Sequence, residues 1–182
     1  MKPFKRITIK AIMCFLIFCA FSQNTSAQET TKSWLDPLHL ETSFEAGSQH
    51  KQLMPFGMKL DLNYNLGKVF SIHAIGQADY FVPKNGMTAD YNKAINIGGG
   101  VGFKLFPKLK DFNTFELRAD VTTTVNSTDL KNTTYSAGIY WYGERCKRGI
   151  SPVIGIGYKF RDYRNEGFSN YSGYYVSLGL RF

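Results

Sequence analysis

The stretch FGMKLDLNYNL, residues 56–66, decides how the rest of the chain is read. Phe56, Met58, Leu60, Leu62, Tyr64 and Leu66 alternate with Gly57, Lys59, Asp61, Asn63 and Asn65, so every second residue is apolar and those between are polar or glycine. A period of two belongs to an extended strand with two unlike faces; a helix would repeat every 3.6 residues.

Working outward, the same alternation returns in segments of about ten residues. Upstream, Leu38, Leu40, Thr42, Phe44 and Ala46 oppose His39, Glu41, Ser43, Glu45 and Gly47. Downstream, Phe70, Ile72, Ala74, Ala78 and Tyr80 oppose Ser71, His73, Gln77 and Asp79, and Ile95, Ile97, Val101, Phe103 and Leu105 oppose Asn96, Gly98, Gly100, Gly102 and Lys104. Phe115, Leu117, Ala119, Val121 and Val125 then face away from Glu116, Arg118, Asp120, Thr122 and Thr124. A shorter sixth segment sets Tyr135, Ala137, Ile139 and Trp141 against Ser136, Gly138, Tyr140 and Tyr142. Ile154, Ile156, Tyr158 and Phe160 oppose Gly155, Gly157, Lys159 and Arg161 in the seventh, and Tyr174, Val176, Leu178, Leu180 and Phe182 oppose Gly173, Tyr175, Ser177, Gly179 and Arg181 in the eighth.

Eight such segments, broken by turn chemistry such as LGK (66–68) and GERCKRG (143–149), predict an all-β, eight-stranded antiparallel up-and-down barrel over residues 38–182. A ten-residue strand rises about 34 Å and, tilted by about 45°, covers roughly 24 Å, close to the apolar band of an outer-membrane barrel. Alternation alone fits a soluble barrel as well; the polar face decides. It carries six acids, Glu41, Glu45, Asp61, Asp79, Glu116 and Asp120, and six bases, Lys59, Lys104, Arg118, Lys159, Arg161 and Arg181, interspersed with glycines. Glycine weakens a solvent-facing strand but suits a narrow interior, and opposed charges enclosed there neutralise one another. Eight strands leave an interior just wide enough for side chains to fill, so the expectation is a transmembrane barrel with apolar rows against lipid and a charge-plugged lumen.

The glycine run in INIGGGVGFKLF, residues 95–106, fits that lumen face, with Tyr140, Tyr142 or the arginines and lysines expected to lie over Gly98, Gly100 and Gly102. Neither G-x-G-x-x-G nor Gly-Lys-Ser/Thr is present, which excludes a phosphate loop. Aromatic residues near segment ends, Tyr64, Phe70, Tyr80, Phe103, Phe115, Tyr135, Trp141, Tyr158 and Tyr174, are expected to form interfacial girdles.

Residues 1–27 read as a cleaved signal peptide: Lys2, Lys5, Arg6 and Lys10, then the apolar run AIMCFLIFCAF, then Ala27 at a small-residue site. The apolar run is too short for a spanning helix, which needs about 20 residues. Phe18 before Cys19 fits a lipoprotein signal badly. Residues 28–37 form a polar periplasmic lead-in. Cleavage removes four bases and no acids, lowering the formal net charge from +8 to +4, too mild a balance for a nucleic-acid partner. It also leaves Cys146 without an internal disulfide partner, and neither a zinc-type spacing nor a cofactor motif is found.

The eighth segment ends YYVSLGLRF, with Phe182 last and apolar residues at alternate positions before it. In this the chain resembles the small eight-stranded outer-membrane barrels of the OmpA transmembrane-domain and OmpX kind, over nearly the whole of 38–182. The resemblance implies a porin-like Gram-negative outer-membrane location, with lipid and lipopolysaccharide as surroundings. It also implies recognition of the last strand by the barrel-assembly machinery through Tyr174, Val176, Leu178, Leu180 and Phe182. Ser177 stands where the family often has glycine. With both ends periplasmic, the outer loops are 48–55, 83–92, 126–133 and 162–170, and the inner turns lie near 67, 107–111 and 143–149.

Three functions compete: a non-enzymatic envelope barrel, a small ion or solute pore through the same polar lumen, and a lipid A-modifying enzyme. The enzyme needs a histidine base beside a serine or an oriented carboxylate. His73 and Asp79 lie about 20 Å apart along one strand, His39 and Glu41 sit at the periplasmic end, and only His50, beside Ser48, lies in the leaflet that holds lipid A. The first reading is therefore preferred, with no catalytic, metal or cofactor residues assigned. Cys146, in a basic turn, is read as incidental.

Overall fold

A computed structural model describes residues 37–48, 53–83, 94–105, 114–127, 130–146, 149–164 and 170–182. The signal segment, the lead-in up to residue 36 and His50 lie outside the described residues. Eight strands follow in order: β1 (Leu38–Gly47), β2 (Leu53–Leu66), β3 (Phe70–Pro83), β4 (Ala94–Leu105), β5 (Thr114–Thr124), β6 (Asn132–Tyr142), β7 (Ser151–Tyr163) and β8 (Tyr171–Arg181). Each pairs antiparallel with its sequence neighbour and β1 pairs with β8, so the sheet closes on itself and leaves no edge.

The start of β1 and the end of β8 meet at one end of the barrel, the proximal end; the ends of β2, β4 and β6 and the starts of β3, β5 and β7 share it. Gly67 and Gly149 turn the chain there at φ of 72° and 82°, a backbone region that residues with a Cβ seldom enter.

The alternation sorts the side chains to the two faces of the wall. In β2, Leu60 is 49% exposed on the outside while its neighbour Asp61 is 2% exposed in the lumen. Every strand presents apolar side chains outward, among them Phe44, Ile72, Val101, Leu117, Ile139, Ile156 and Leu178. The aromatics expected near segment ends also face outward; Phe70 and Phe103 meet edge to face at 5.5 Å, as do Tyr158 and Tyr174 at 5.4 Å.

Several boundaries differ from the sequence reading. β2 starts at Leu53 rather than Phe56 and takes in Pro55 opposite Phe81. The ladder with β1 has ended at Phe56, so Pro55 lies beyond that edge, where a missing N–H costs least. β6 is no shorter than β5: Asn132, Thr133 and Thr134 extend it to 11 residues, pairing with Tyr163, Asp162 and Arg161. Asn and Thr read as loop chemistry, but threonine is β-branched and Asn132 hydrogen-bonds locally within the lumen. β7 likewise runs on through Asp162 and Tyr163.

Candidate functional site

Among the described residues, the lumen is where ionisable groups gather. All six expected acids are buried there, with Lys59, Arg118, Lys159 and Arg161; Lys104 and Arg181 sit half-buried toward the proximal end. They are brought together in two groups.

The proximal group is built around Arg118 on β5. Its Nη2 donates to both oxygens of Glu41 at 2.7 and 2.8 Å and its Nη1 to Asp61 at 3.1 Å, while its Nε lies 3.7 Å from Glu116. The guanidinium also lies 4.3 Å from the Tyr140 ring centroid and 5.5 Å from that of Tyr142. A planar fork suits this duty, since one guanidinium serves several carboxylates and still stacks on a ring. Tyr142 donates to Glu41 at 3.0 Å, and Arg181 approaches the same carboxylate at 3.8 Å. Lys104 departs from the charge-pair expectation: it donates to the amide oxygen of Asn65 rather than to an acid.

The distal group contains Lys59, which donates to Asp120 at 2.8 Å; Lys159, which donates to Glu45; and Arg161, whose Nη1 lies 3.1 Å from Asp79. Gln77 donates to Glu45 at 3.0 Å and to Asp79 at 2.8 Å, and Asn96 donates to Asp79 at 2.7 Å. Three acids and three bases face one another here. Lys59 lies 4.0 Å from Asp61, joining the two groups. Beyond them, Ala94, Leu130, Tyr163 and Tyr171 form a buried apolar cluster at the distal end.

The residue missed by the sequence reading is His73. Compared only with Asp79 on its own strand, it has no partner within reach. Across strands its Nδ1 lies 3.0 Å from Asp61 on β2 and its Nε2 lies 3.1 Å from Glu116 on β5. Carboxylates only accept, so both contacts are met together when both ring nitrogens carry a proton. Ser71 Oγ lies 3.0 Å from the same Nε2 and donates to Glu116. Serine, histidine and aspartate thus stand in the order of a nucleophile, base and orienting acid. Ser71 is only 1% exposed, however, and its hydroxyl proton already points to a carboxylate.

No family model, curated protein or solved structure matches this chain. The reading of its function therefore rests on geometry.

The glycines are placed as expected on the lumen face, but their neighbours are not the expected ones. A Cβ at Gly98 would meet backbone atoms of Val121 and Thr122, one at Gly100 would meet Asp120, and one at Gly102 would meet Glu116 and Ser71. The tyrosines lie elsewhere: the Tyr140 ring covers Gly155, and Tyr175 covers Gly138 and Gly157. The reason is position around the wall. Tyr140 and Tyr175 rise from β6 and β8 and meet the glycines of β6 and β7, while the acids of β5 fill the space beside β4. Ile75, unassigned in the sequence reading, is a buried apolar side chain on the lumen face of β3.

Between Glu45, Asp79, Lys159, Arg161, Tyr171 and Tyr175 a distal lumen cavity of about 10 Å³ remains. That is about one water molecule's worth of space.

Proposed function

We propose that this chain is an integral outer-membrane barrel of the small OmpA- and OmpX-like kind, exported on a cleaved signal peptide, with a structural or interaction role at the cell envelope. The observation that carries the reading is the inverted wall. Large apolar side chains cover the outside of every strand, while acids, arginines, lysines and polar amides fill the inside. Water-soluble monomers rarely expose contiguous apolar surface beyond a few hundred Å², whereas a membrane barrel needs it. The proximal end then faces the periplasm, lipid and lipopolysaccharide contact the wall, and the alternating C-terminal strand, from Tyr174 to Phe182, is the segment the assembly machinery takes up.

In the same reading the lumen is closed by its ion pairs. Six carboxylates face arginine, lysine and histidine at contact distance, and the distal cavity holds no more than about one water. The test is refolding into detergent followed by two measurements. Unheated protein is expected to migrate differently from boiled protein in a detergent gel, and planar bilayers containing it are expected to carry no steady current. Protein that stays monomeric and water-soluble without detergent would remove the membrane reading. Steady, large conductance would replace the closed lumen with a pore, and charge reversal at Arg118 or Glu116 would then alter its ion selectivity.

Ser71, His73 and Asp61 favour a second reading, a serine-dependent acyl-transfer or hydrolytic site. Burial of the serine and its bond to Glu116 weigh against it. A fluorophosphonate probe is expected to leave Ser71 of the folded barrel unlabelled; stoichiometric labelling lost in Ser71→Ala would establish the enzyme instead.

A further inference from the structure

The β1–β8 junction closes the barrel with the least backbone. Among the described residues its ladder registers seven pairs and that of β1 with β2 nine, against ten to fourteen at every other junction. β1 is also the shortest strand, at 10 residues. On the lumen side of this seam Ser177 stands opposite Glu45, and Ser177 Oγ and Glu45 Oε1 are buried without a hydrogen-bond partner among the described residues.

What β1 lacks in backbone pairing it receives through two side chains. Glu41 takes Arg118 from β5, Tyr142 from β6 and Arg181 from β8; Glu45 takes Lys159 from β7 and Gln77 from β3. Four of these five partners reach β1 across the lumen from strands that do not border it.

We propose that Glu41 and Glu45 form a latch that holds the β1–β8 seam shut from inside, and that this seam is the line along which the wall opens. Both carboxylates are buried, and releasing β1 would withdraw two of the six lumen acids from the cations that face them. With β1 released, the lumen gains a lateral mouth and β8 presents an unpaired edge, the form of surface to which an extended strand adds. The latch depends on contacts within the lumen alone, so it stands or falls separately from the placement of the wall in lipid.

Amide hydrogen exchange on the refolded full barrel tests this, comparing wild type with E41Q/E45Q and with D79N. Asp79 binds Arg161, Gln77 and Asn96 and, among the described residues, has no hydrogen bond or ion pair with β1; it shares only Gln77 with the latch, so D79N removes a lumen carboxylate while leaving Glu41, Glu45 and their cationic partners in place. In E41Q/E45Q, amides of 40–47 and 175–181 are expected to exchange about tenfold faster than in wild type while those of β4 to β6 stay within about twofold, as local opening requires. D79N is expected to leave the seam no faster than the rest of the wall. Acceleration spread evenly around the barrel, or absent at the seam, would overturn the latch. Should the double variant fail to refold, E45Q alone keeps an amide oxygen for Lys159, and seam exchange unchanged in it would overturn the latch equally.

Discussion

Replacing Arg118 by methionine is expected to destabilise the barrel by about 3–5 kcal/mol, the cost of removing one partner from a buried charge pair. Methionine keeps much of the volume against Tyr140 and Tyr142, so packing changes little while three carboxylates lose their shared cation. Glu41 would retain Tyr142 and Arg181, and Asp61 and Glu116 would retain His73, so the acids keep some donors but not the charge balance. Domains of this size are stable by only about 5–15 kcal/mol, so a loss of this order takes a large share of the total. Arg118→Lys is expected to recover part of it, since an ammonium restores the charge but cannot present a rigid fork to Glu41 and Asp61 together. Adding Glu41→Gln to the methionine variant is expected to recover another part, because it removes one of the stranded charges. The measurement is the denaturant midpoint of refolded barrel in detergent. A shift of less than about 1 kcal/mol for Arg118→Met would mean that water reaches the lumen freely and screens these charges, and the closed interior would have to be given up.

The barrel was legible because its defining signal is local. A residue's face on a strand is fixed by the parity of its position, so Leu60 outside and Asp61 inside follow from the sequence once a strand is recognised. Who meets whom across the lumen is not local. His73 touches Asp61, 12 positions away, and Glu116, 43 positions away, and those separations carry no periodic trace. The same holds for Tyr140 over Gly155: both were assigned to the lumen, but only the register between β6 and β7 brings them together. Strand ends were the other weak point. Asn132 and Thr133 carry turn chemistry that pairing with β7 overrides, and Pro55 enters a strand because its other neighbour has stopped. One signal for His73 was available: a histidine on a face otherwise holding acids, amides and glycine has carboxylates as its natural partners, whichever strand supplies them.

Gly98 and Gly76 are expected to answer very differently to the same added methyl group. A Cβ at Gly98 would press into the Val121 carbonyl oxygen and stand 2.6 Å from Thr122 Cα, both backbone atoms of the neighbouring strand. No rotamer change relieves such contacts, so β4 and β5 would have to part where Gly98 pairs with Thr122. Gly98→Ala is therefore expected to cost about 3 kcal/mol, the upper part of the usual range for overpacking. Gly76 lies on the outer face, and a methyl group added there would find nothing within 4 Å. At that position alanine removes only the excess freedom of the unfolded chain, and a gain of about 0.5 kcal/mol is expected. Gly102→Ala falls between them: it would meet Glu116 Oε1 and Ser71 Oγ, the ends of side chains that can turn aside only by loosening their contacts with His73. The order Gly98, Gly102, Gly76 in unfolding midpoints thus separates two reasons for a glycine-rich lumen wall, close approach of neighbouring strands and room for buried acids. Equal effects at Gly98 and Gly76 would show that β4 and β5 do not approach so closely, and the glycine run would need another cause.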